Sequence, residues 1–326
     1  MLVCEDMNGI HKQIKYTLPA VLLILLGLVL VGGVQYVRES ALPGVDFSNH
    51  SRDTQGTLAN TATDVNCLRF AVASMVSAEQ TFSMYNRLVQ RICRDVGRPD
   101  AFIQRPSYTQ VRQSLEQGLV DVAFVCTGTY VHSLPNQSIK LLAEPVFMDG
   151  KTYRCLILVP NHSATQGLAD LKNKVMAYTD RESNTGCLVP SHALSRQGQV
   201  SESFFSKLIF TGSHDRSINA VARGIVDAAA VDSLVWFSKL RTDPELSDRI
   251  RVIWESDPFG PPPVVVPAGI DPDLEVKLLQ AFLALDKDDT GRDILSAIGI
   301  ERFAQPQPEH YRSAISLYRE LQAHEN

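Results

Sequence analysis

Short apolar runs alternate with segments of helical spacing along most of the chain after Cys67. Residues 68–73, 101–104 and 120–125 are apolar runs of strand length, and we predict three strands there. Between them, residues 78–96 and 108–117 repeat apolar side chains every three or four positions, and a glycine follows each segment. This order predicts a βαβαβ unit, which is typical of α/β domains with largely parallel sheets.

A second series of strands and helices begins at Thr152. Strands are predicted over residues 152–160, 175–178, 208–210, 227–231, 249–254 and 263–267, with helices after Gly186, through Ala222, and at about 273–285, 291–297 and 309–322. The final helices have no complete sheet of their own. We therefore expect two α/β lobes, with these helices returning to pack on the first lobe.

The N-terminal region differs, because residues 16–37 form a single stretch of 22 residues without a formal charge. As a helix it would be about 33 Å long at ~1.5 Å per residue, which matches a bilayer core of roughly 30 Å. The flanking charges favour a cytoplasmic location for residues 1–15. A cleaved signal peptide is the alternative, but no small-residue cleavage site follows the run, so we favour an uncleaved signal anchor. Residues 38–66 are predicted to be a flexible linker.

The composition narrows the function classes. With 44% hydrophobic and 21% charged residues among 326, most of the chain is expected to fold. The net charge of −5 lacks the positive field of a general nucleic-acid binder, so we predict no nucleic-acid partner. Six cysteines stand at least 26 residues apart, which excludes a CxxC pair and a zinc ribbon. We predict neither a metal site nor a cofactor, and the disulfide state stays open.

Four loops that follow predicted strands are rich in polar side chains, and open α/β sheets bind ligands at that edge. Ser183, Asn184 and Thr185 stand where a helix begins, so their donors and the free backbone N–H groups are typical of an anion site, with plain N-capping as the alternative. His214 and Asp232 follow two further strands; a solvated histidine and a helix cap are the alternatives for them. The other candidates for ligand binding are Ser77, Thr127 and Tyr130.

In these segments the chain resembles the substrate-binding proteins of phosphate, phosphite and phosphonate ABC transporters, which are type II periplasmic binding proteins. The resemblance rests on the ordered occurrence of Val120-Asp-Val-Ala-Phe, Glu182-Ser-Asn-Thr-Gly-Cys-Leu-Val-Pro, Gly212-Ser-His-Asp-Arg-Ser and Val226-Asp-Ala-Ala-Ala-Val-Asp-Ser. It implies two α/β lobes joined by crossovers near residues 147–152 and 234–249, closing on a ligand like a hinged trap. Lobe 1 would comprise residues 67–147 and 250–326, and lobe 2 residues 148–249.

The resemblance implies an extracytoplasmic solute-binding protein, not an enzyme, that captures a phosphonate, phosphite or phosphate for an ABC permease. The periplasmic part would be anchored in the cytoplasmic membrane by the N-terminal helix. By this resemblance Ser183, Asn184 and Thr185 contact the anion, with His214 beside them. Asp232 would face a protonated ligand oxygen, Tyr130 would reach in from lobe 1, and Ser77 is a weaker assignment.

The sequence is compatible with two other functions. The first is a membrane-anchored ligand sensor that reports to a separate kinase or chemoreceptor. The second is a thiol-dependent enzyme that uses Cys126 with His214 and Asp232, although no nucleophile elbow, HExxH or P-loop motif accompanies these residues. Where many members of the resembling family have Gly-Pro, this chain has Cys126-Thr127. Turnover assays would separate the enzyme from the binding proteins.

Overall fold

The computed structural model describes residues 66–150 and 152–325, and the predicted anchor at residues 16–37 lies outside them. Within the described part of the chain, no helix is both long and apolar enough to cross a bilayer. The described chain forms two mixed β-sheets, one of six strands and one of five, and each sheet packs against helices. This is the two-sheet α/β architecture expected from the sequence.

The secondary structure follows the predicted alternation. The strands are β1 (Leu68–Val72), β2 (Asp100–Ile103), β3 (Val122–Phe124), β4 (Ile139–Phe147), β5 (Cys155–Pro160), β6 (Val175–Tyr178), β7 (Lys207–Phe210), β8 (Ala228–Asp232), β9 (Ile250–Glu255), β10 (Val264–Pro267) and β11 (Ile300–Ala304). The α-helices are α1 (Ala78–Val96), α2 (Tyr108–Glu116), α3 (Thr127–Ser133), α4 (Val189–Ser195), α5 (Ser201–Phe204), α6 (His214–Ala222), α7 (Ser233–Thr242), α8 (Leu246–Arg249), α9 (Pro272–Ala284), α10 (Asp289–Ala297) and α11 (Arg312–Glu325).

The strand order is β11-β4-β10-β3-β1-β2 in the first sheet and β7-β6-β8-β5-β9 in the second. β1 runs parallel to β2 and β3, and β6 runs parallel to β7 and β8, as βαβ connections require. The prediction of largely parallel sheets is wrong, because the other pairings of the described strands are antiparallel. The strands that flank the two connections between the sheets, β4, β5, β9 and β10, account for these pairings.

Two connections join the sheets, residues 148–154 between β4 and β5 and residues 256–263 between β9 and β10. The second connection lies later than the predicted crossover at 234–249, because that stretch forms α7 and α8 and because β9 pairs with β5. An isolated bridge between Tyr153 and Phe259 joins the two connections. We define lobe 1 as residues 66–147 and 264–304, and lobe 2 as residues 155–255.

The C-terminal helices differ in what they cover. Helices α9 and α10 pack on the first sheet, as predicted, with Phe282 and Ile294 in its core. Helix α11 instead contacts both lobes, since Ala314 is in a core cluster of lobe 1 and Leu317 is in one of lobe 2. The prediction that all the last helices pack on lobe 1 is therefore wrong for α11.

The described cysteines, at positions 67, 93, 126, 155 and 187, are all free, and four of them are buried. Cys93 belongs to the apolar core beneath α1. The described chain is therefore held together without a disulfide bond.

Candidate functional site

Loops from both lobes meet directly at the junction between the two sheets. The backbone N–H of His214, at the start of α6 in lobe 2, donates to the carbonyl oxygen of Met75 in lobe 1 at 2.9 Å. The Tyr108 N–H of lobe 1 donates to the Asp180 carboxylate of lobe 2 at 3.3 Å. These hydrogen bonds hold the loops after β1 and β6 against the opposite lobe.

An ion pair reinforces the same junction. Arg112 on α2 contacts Glu182 of lobe 2 at 2.9 Å, and the Glu182 side chain is only 5% exposed. Arg112 also pairs with Glu116 on its own helix at 2.8 Å. The guanidinium therefore bridges a carboxylate on each lobe, and the buried partner depends on contact between the lobes.

At Gly128 the backbones of the two lobes also come close together. A Cβ atom placed at Gly128 would lie 2.2 Å from the carbonyl oxygen of Glu182 and 2.7 Å from the backbone nitrogen of Asn184. Both distances are shorter than any ordinary contact, and both partners are backbone atoms that cannot rotate away. Glycine is therefore the residue that allows the start of α3 to contact lobe 2 this closely.

The segment after β6 turns sharply and buries three consecutive polar residues. A π-helix occupies Asn184–Leu188, and the Ser183 hydroxyl at its start accepts a hydrogen bond from the Gly186 N–H at 3.0 Å. Ser183, Asn184 and Thr185 are fully buried. N-capping by Ser183 is thus present, and it accounts for one of the three side chains only.

His214 is buried as a neutral ring in a defined tautomer. Its Nδ1 accepts from the backbone N–H of Asp232 at 3.1 Å and lies 3.0 Å from the Thr179 hydroxyl, so the ring hydrogen is on Nε2. Nε2 lies 3.5 Å from the Ser183 hydroxyl. Burial lowers the pKa of His214 to about 3, so the ring acts as an uncharged donor at neutral pH.

Asp232 ends β8 and caps α7, and its side chain accepts from the Leu234 N–H at 2.7 Å. The residue is 1% exposed. Burial raises the pKa of Asp232 to about 7, and the backbone hydrogen bonds oppose this shift only in part. The carboxyl group therefore both accepts and releases a proton near neutral pH.

Cys126 lies at the centre of the junction, after β3. Its sulfur accepts the backbone N–H of Asn184 at 3.2 Å and lies 3.3 Å from the Tyr153 hydroxyl. The Thr185 hydroxyl contacts the same Tyr153 oxygen at 3.4 Å, and Tyr108 packs against Cys126. Burial raises the pKa of Cys126, so the group is a thiol at neutral pH rather than the thiolate that a nucleophilic role requires.

Several polar atoms in the segments that meet near Cys126 are buried without a hydrogen-bond partner in the described chain. They are the hydroxyl groups of Tyr108 and Thr129 and both side-chain atoms of the Asn184 amide. A fourth such side chain, Tyr311, instead packs against the Tyr130 ring. Buried polar groups are nearly always paired in folded proteins, so unpaired groups from two lobes at one junction point to a ligand that pairs with them.

We name these side chains the polar cluster. It comprises Tyr108, Thr129, Tyr153, Ser183, Asn184, Thr185, His214 and Asp232. No lysine or arginine belongs to it. An anion placed here would therefore be held by neutral hydroxyl, amide and imidazole donors.

The structure brings Ser183, Asn184, Thr185, His214 and Asp232 together, and it places the remaining predicted residues differently. The hydroxyl group of Thr127 donates to the carbonyl oxygen of Gly260 in the second connection, at 2.9 Å. The Tyr130 ring packs on Tyr311 in the core of lobe 1, with ring centroids 5.3 Å apart. The Ser77 side chain caps α1, 3.5 Å from the Gln80 nitrogen.

Sequence reasoning missed Tyr108, Thr129 and Tyr153. Tyr108 follows β2 closely, so the rule that polar residues after a strand line the ligand edge would have included it. Thr129 stands between the two residues selected after β3. Tyr153 lies in the first connection, and no local pattern indicates that its hydroxyl reaches the junction.

Comparison with known proteins identifies the family. The model for the periplasmic substrate-binding proteins of phosphonate ABC transporters matches residues 70–311. The match covers most of the chain and contains every residue of the polar cluster. The chain belongs to this family, whose members are substrate-binding components of transporters.

Three curated relatives agree with this assignment. A probable ABC transporter phosphite-binding protein PhnD1 of Prochlorococcus marinus is 27% identical over 49% of this chain and 56% of its own length. The phosphonates-binding periplasmic protein of Escherichia coli is 24% identical over 71% of this chain and 70% of its own length. A phosphate-import protein PhnD of Mycolicibacterium smegmatis is 28% identical over 53% of this chain and 57% of its own length. The chain thus spans little more than half the length of two of these relatives, and none of them supports the sensor alternative.

Solved structures support the fold. PhnD1 from Prochlorococcus marinus, in complex with methylphosphonate, superposes with a TM-score of 0.72 at 19% identity and covers 79% of this chain and 98% of its own. A binding protein component of an ABC phosphonate transporter from Pseudomonas aeruginosa gives a TM-score of 0.70 at 17% identity, covering 81% and 100%. At these identities the likeness concerns the two-lobed fold.

Proposed function

We propose that this protein captures a phosphorus oxyanion, a phosphonate, phosphite or phosphate, between its two lobes and delivers it to an ABC permease. The observation that carries the proposal is the set of unpaired buried groups of Tyr108 and Asn184 at the lobe junction. A phosphoryl group offers three oxygens that each accept more than one hydrogen bond. It therefore matches a site with many neutral donors and few acceptors.

Donors from both lobes converge on this junction. Ser183 already accepts from Gly186 and lies beside the Nε2 hydrogen of His214, so its own hydroxyl hydrogen is available to a ligand oxygen. Thr185 and Tyr153 supply two further hydroxyl groups. Binding a ligand to both sets of donors at once favours the closed arrangement over an open one, which couples capture to a shape that a permease recognises.

Asp232 gives the site a preference among oxyanions. A phosphoryl group carries a P–OH donor or accepts a proton near pH 7, so it shares one proton with a carboxyl group whose pKa is also about 7. Sulfate has no such hydrogen at neutral pH, and it faces repulsion whenever Asp232 is ionised. The proposed site therefore selects phosphorus over sulfur oxyanions.

The proposal includes an extracytoplasmic location beside the permease, with residues 16–37 as an uncleaved membrane anchor. The family supports the extracytoplasmic location. The uncharged length of the segment and the linker over residues 38–66 support the anchor. An anchored binding protein stays near its permease, which raises the effective concentration of the complex that delivers the ligand.

The test is isothermal titration calorimetry of the full-length protein with phosphate, phosphite, methylphosphonate and sulfate. We expect saturable binding of at least one phosphorus oxyanion and none of sulfate. The first variant is Tyr108→Phe, which removes an unpaired hydroxyl and keeps the ring. Its affinity should fall at least tenfold, while the urea midpoint without ligand should not fall, because no protein hydrogen bond is lost.

Tyr178→Phe is the matched control. This tyrosine is also buried, but its hydroxyl is paired with Ser201 at 3.0 Å, and it lies in the core of lobe 2. The control should lose stability, by about 1 kcal/mol for a typical hydrogen bond, and keep its affinity. The proposal fails if the folded protein binds none of the phosphorus oxyanions, or if the two variants lose affinity equally.

A further inference from the structure

A large cavity adjoins the polar cluster between the two lobes. Its volume is about 290 Å³, and Asp232 of the polar cluster forms part of its wall. Ala73 and Met75 line the same cavity and also pack around Tyr108 and Cys126. A ligand held by the polar cluster would therefore have this space directly beside it.

The wall of the cavity is predominantly apolar. Lobe 1 contributes Val76 and Met84 among others, and lobe 2 contributes Val235 and Phe237 from α7. Asp232 is the one acidic side chain among the described residues that line it. A charged ammonium group would thus lose its hydration without gaining a carboxylate partner beyond the one beside the phosphoryl position.

Two cations line the cavity on its α7 side, Lys239 and Arg241. A guanidinium nitrogen of Arg241 lies 3.5 Å from the position of a Cβ atom at Gly299, so this side chain reaches from lobe 2 to lobe 1. In the part of the chain that the structure describes, neither cation has an ion-pair partner. Both therefore repel a positively charged substituent.

We propose that the ligand is a phosphonate or phosphate monoester with an uncharged, apolar substituent, and this inference rests on the proposed function. The phosphoryl group of the ligand binds the polar cluster, and the substituent fills this cavity. The size of the substituent follows from the volume of the cavity. An engineered apolar cavity of about 150 Å³ accommodates benzene, so about twice that volume accommodates a chain or ring of roughly six to ten heavy atoms. Phosphate, phosphite or methylphosphonate would leave most of it unfilled.

The test is calorimetry of the full-length protein with methyl-, propyl-, butyl-, phenyl- and 2-aminoethylphosphonate. Each methylene group that enters an apolar cavity strengthens binding about fourfold, so butylphosphonate should bind at least tenfold more tightly than methylphosphonate. Propyl- and 2-aminoethylphosphonate are matched in size and differ in charge. We expect the propyl compound to bind at least tenfold more tightly.

A variant of the cavity wall tests whether the tighter binding of larger apolar substituents arises in the cavity. Ser238 lines it from α7, so Ser238→Trp should reduce the ratio of butyl- to methylphosphonate affinity about tenfold. Ser203→Trp, on the exposed face of α5, is the matched control and should leave that ratio unchanged.

The outcomes separate this inference from the proposed function. If methylphosphonate binds and the larger apolar compounds bind no better, the inference is wrong and the phosphoryl site stands. If 2-aminoethylphosphonate binds more tightly than the propyl compound, the inference is also wrong. If no phosphonate of the series binds to the folded protein and none of the smaller oxyanions does, the proposed function fails and this inference fails with it.

Discussion

The contact at Gly128 gives a quantitative prediction about lobe closure. A Cβ atom at Gly128 would lie 2.2 Å from the Glu182 carbonyl oxygen, whereas ordinary contact is about 3.5 Å. The Gly128→Ala substitution therefore forces the backbones apart by about 1.3 Å at this point. The Asn184 N–H to Cys126 sulfur bond, now 3.2 Å, spans the same gap and would be broken.

The cost should appear in ligand binding and not in folding. The clashing backbones belong to different lobes, so opening at the connections relieves the strain and leaves each lobe intact. Overpacking of this kind costs about 1–3 kcal/mol, which corresponds to about 5- to 150-fold weaker binding. Alanine is also the better helix former within α3, so the free energy of unfolding without ligand should not decrease.

The assay combines calorimetry with the tightest oxyanion, urea denaturation without ligand, and small-angle scattering with and without saturating ligand. Gly269→Ala is the control, because a Cβ atom there meets no atom within 4 Å. We expect the radius of gyration of the Gly128→Ala protein to shrink less on ligand addition than that of the control. Affinity within twofold of the unaltered protein would refute the argument that this contact belongs to the ligand-bound form.

Two further predictions concern titration and the ion pair between the lobes. Burial raises the Asp232 pKa to about 7 and lowers the His214 pKa to about 3. In urea denaturation without ligand, Asp232 should therefore lower the free energy of unfolding as pH rises from about 4 to 7. His214 should lower the free energy of unfolding as pH falls from 6.5 to about 3. The two effects oppose each other between about pH 4 and 6.5. In that range the free energy of unfolding of the Asp232→Asn protein should rise with pH more steeply than that of the unaltered protein, and an equal slope would contradict the raised pKa of a buried Asp232 carboxyl. Arg112→Gln should speed ligand dissociation about five- to tenfold in stopped-flow measurements, because it leaves the nearly buried Glu182 carboxylate unpaired in the closed form. An unchanged dissociation rate would show that the Arg112–Glu182 pair does not hold the lobes together.

Local patterns predicted most elements of the fold, and they failed where pairing is non-local. The strand at Ile139–Phe147 was missed because its burial does not alternate and it contains Glu144 and Pro145, which are uncommon in strands. The strand at Ile250–Glu255 was found, but its place in the second sheet depends on pairing with β5, about 90 residues earlier, which no local pattern encodes.

The same distinction holds for the candidate site. Ser183, Asn184 and Thr185 follow one strand and form one loop, so the sequence shows them as a unit. His214 follows β7 and Asp232 ends β8, and both strands pair with β6 in the same sheet, so the proximity of these residues follows from topology. Tyr108 and Tyr153 reach the junction from lobe 1 and from a connection, and only the three-dimensional arrangement of the lobes shows that their hydroxyl groups are there.

The lack of a cation in the polar cluster has a kinetic consequence. The whole chain carries a net charge of −5, so an anionic ligand diffuses toward a protein of the same sign, without the long-range attraction that accelerates many anion binders. Added salt screens this repulsion at distances beyond about 8 Å at physiological ionic strength, while the short hydrogen bonds of the bound state are little affected. The net charge therefore makes capture faster as ionic strength rises, whereas salt also screens the local attraction of Lys239 and Arg241 on the cavity wall, which acts in the opposite direction.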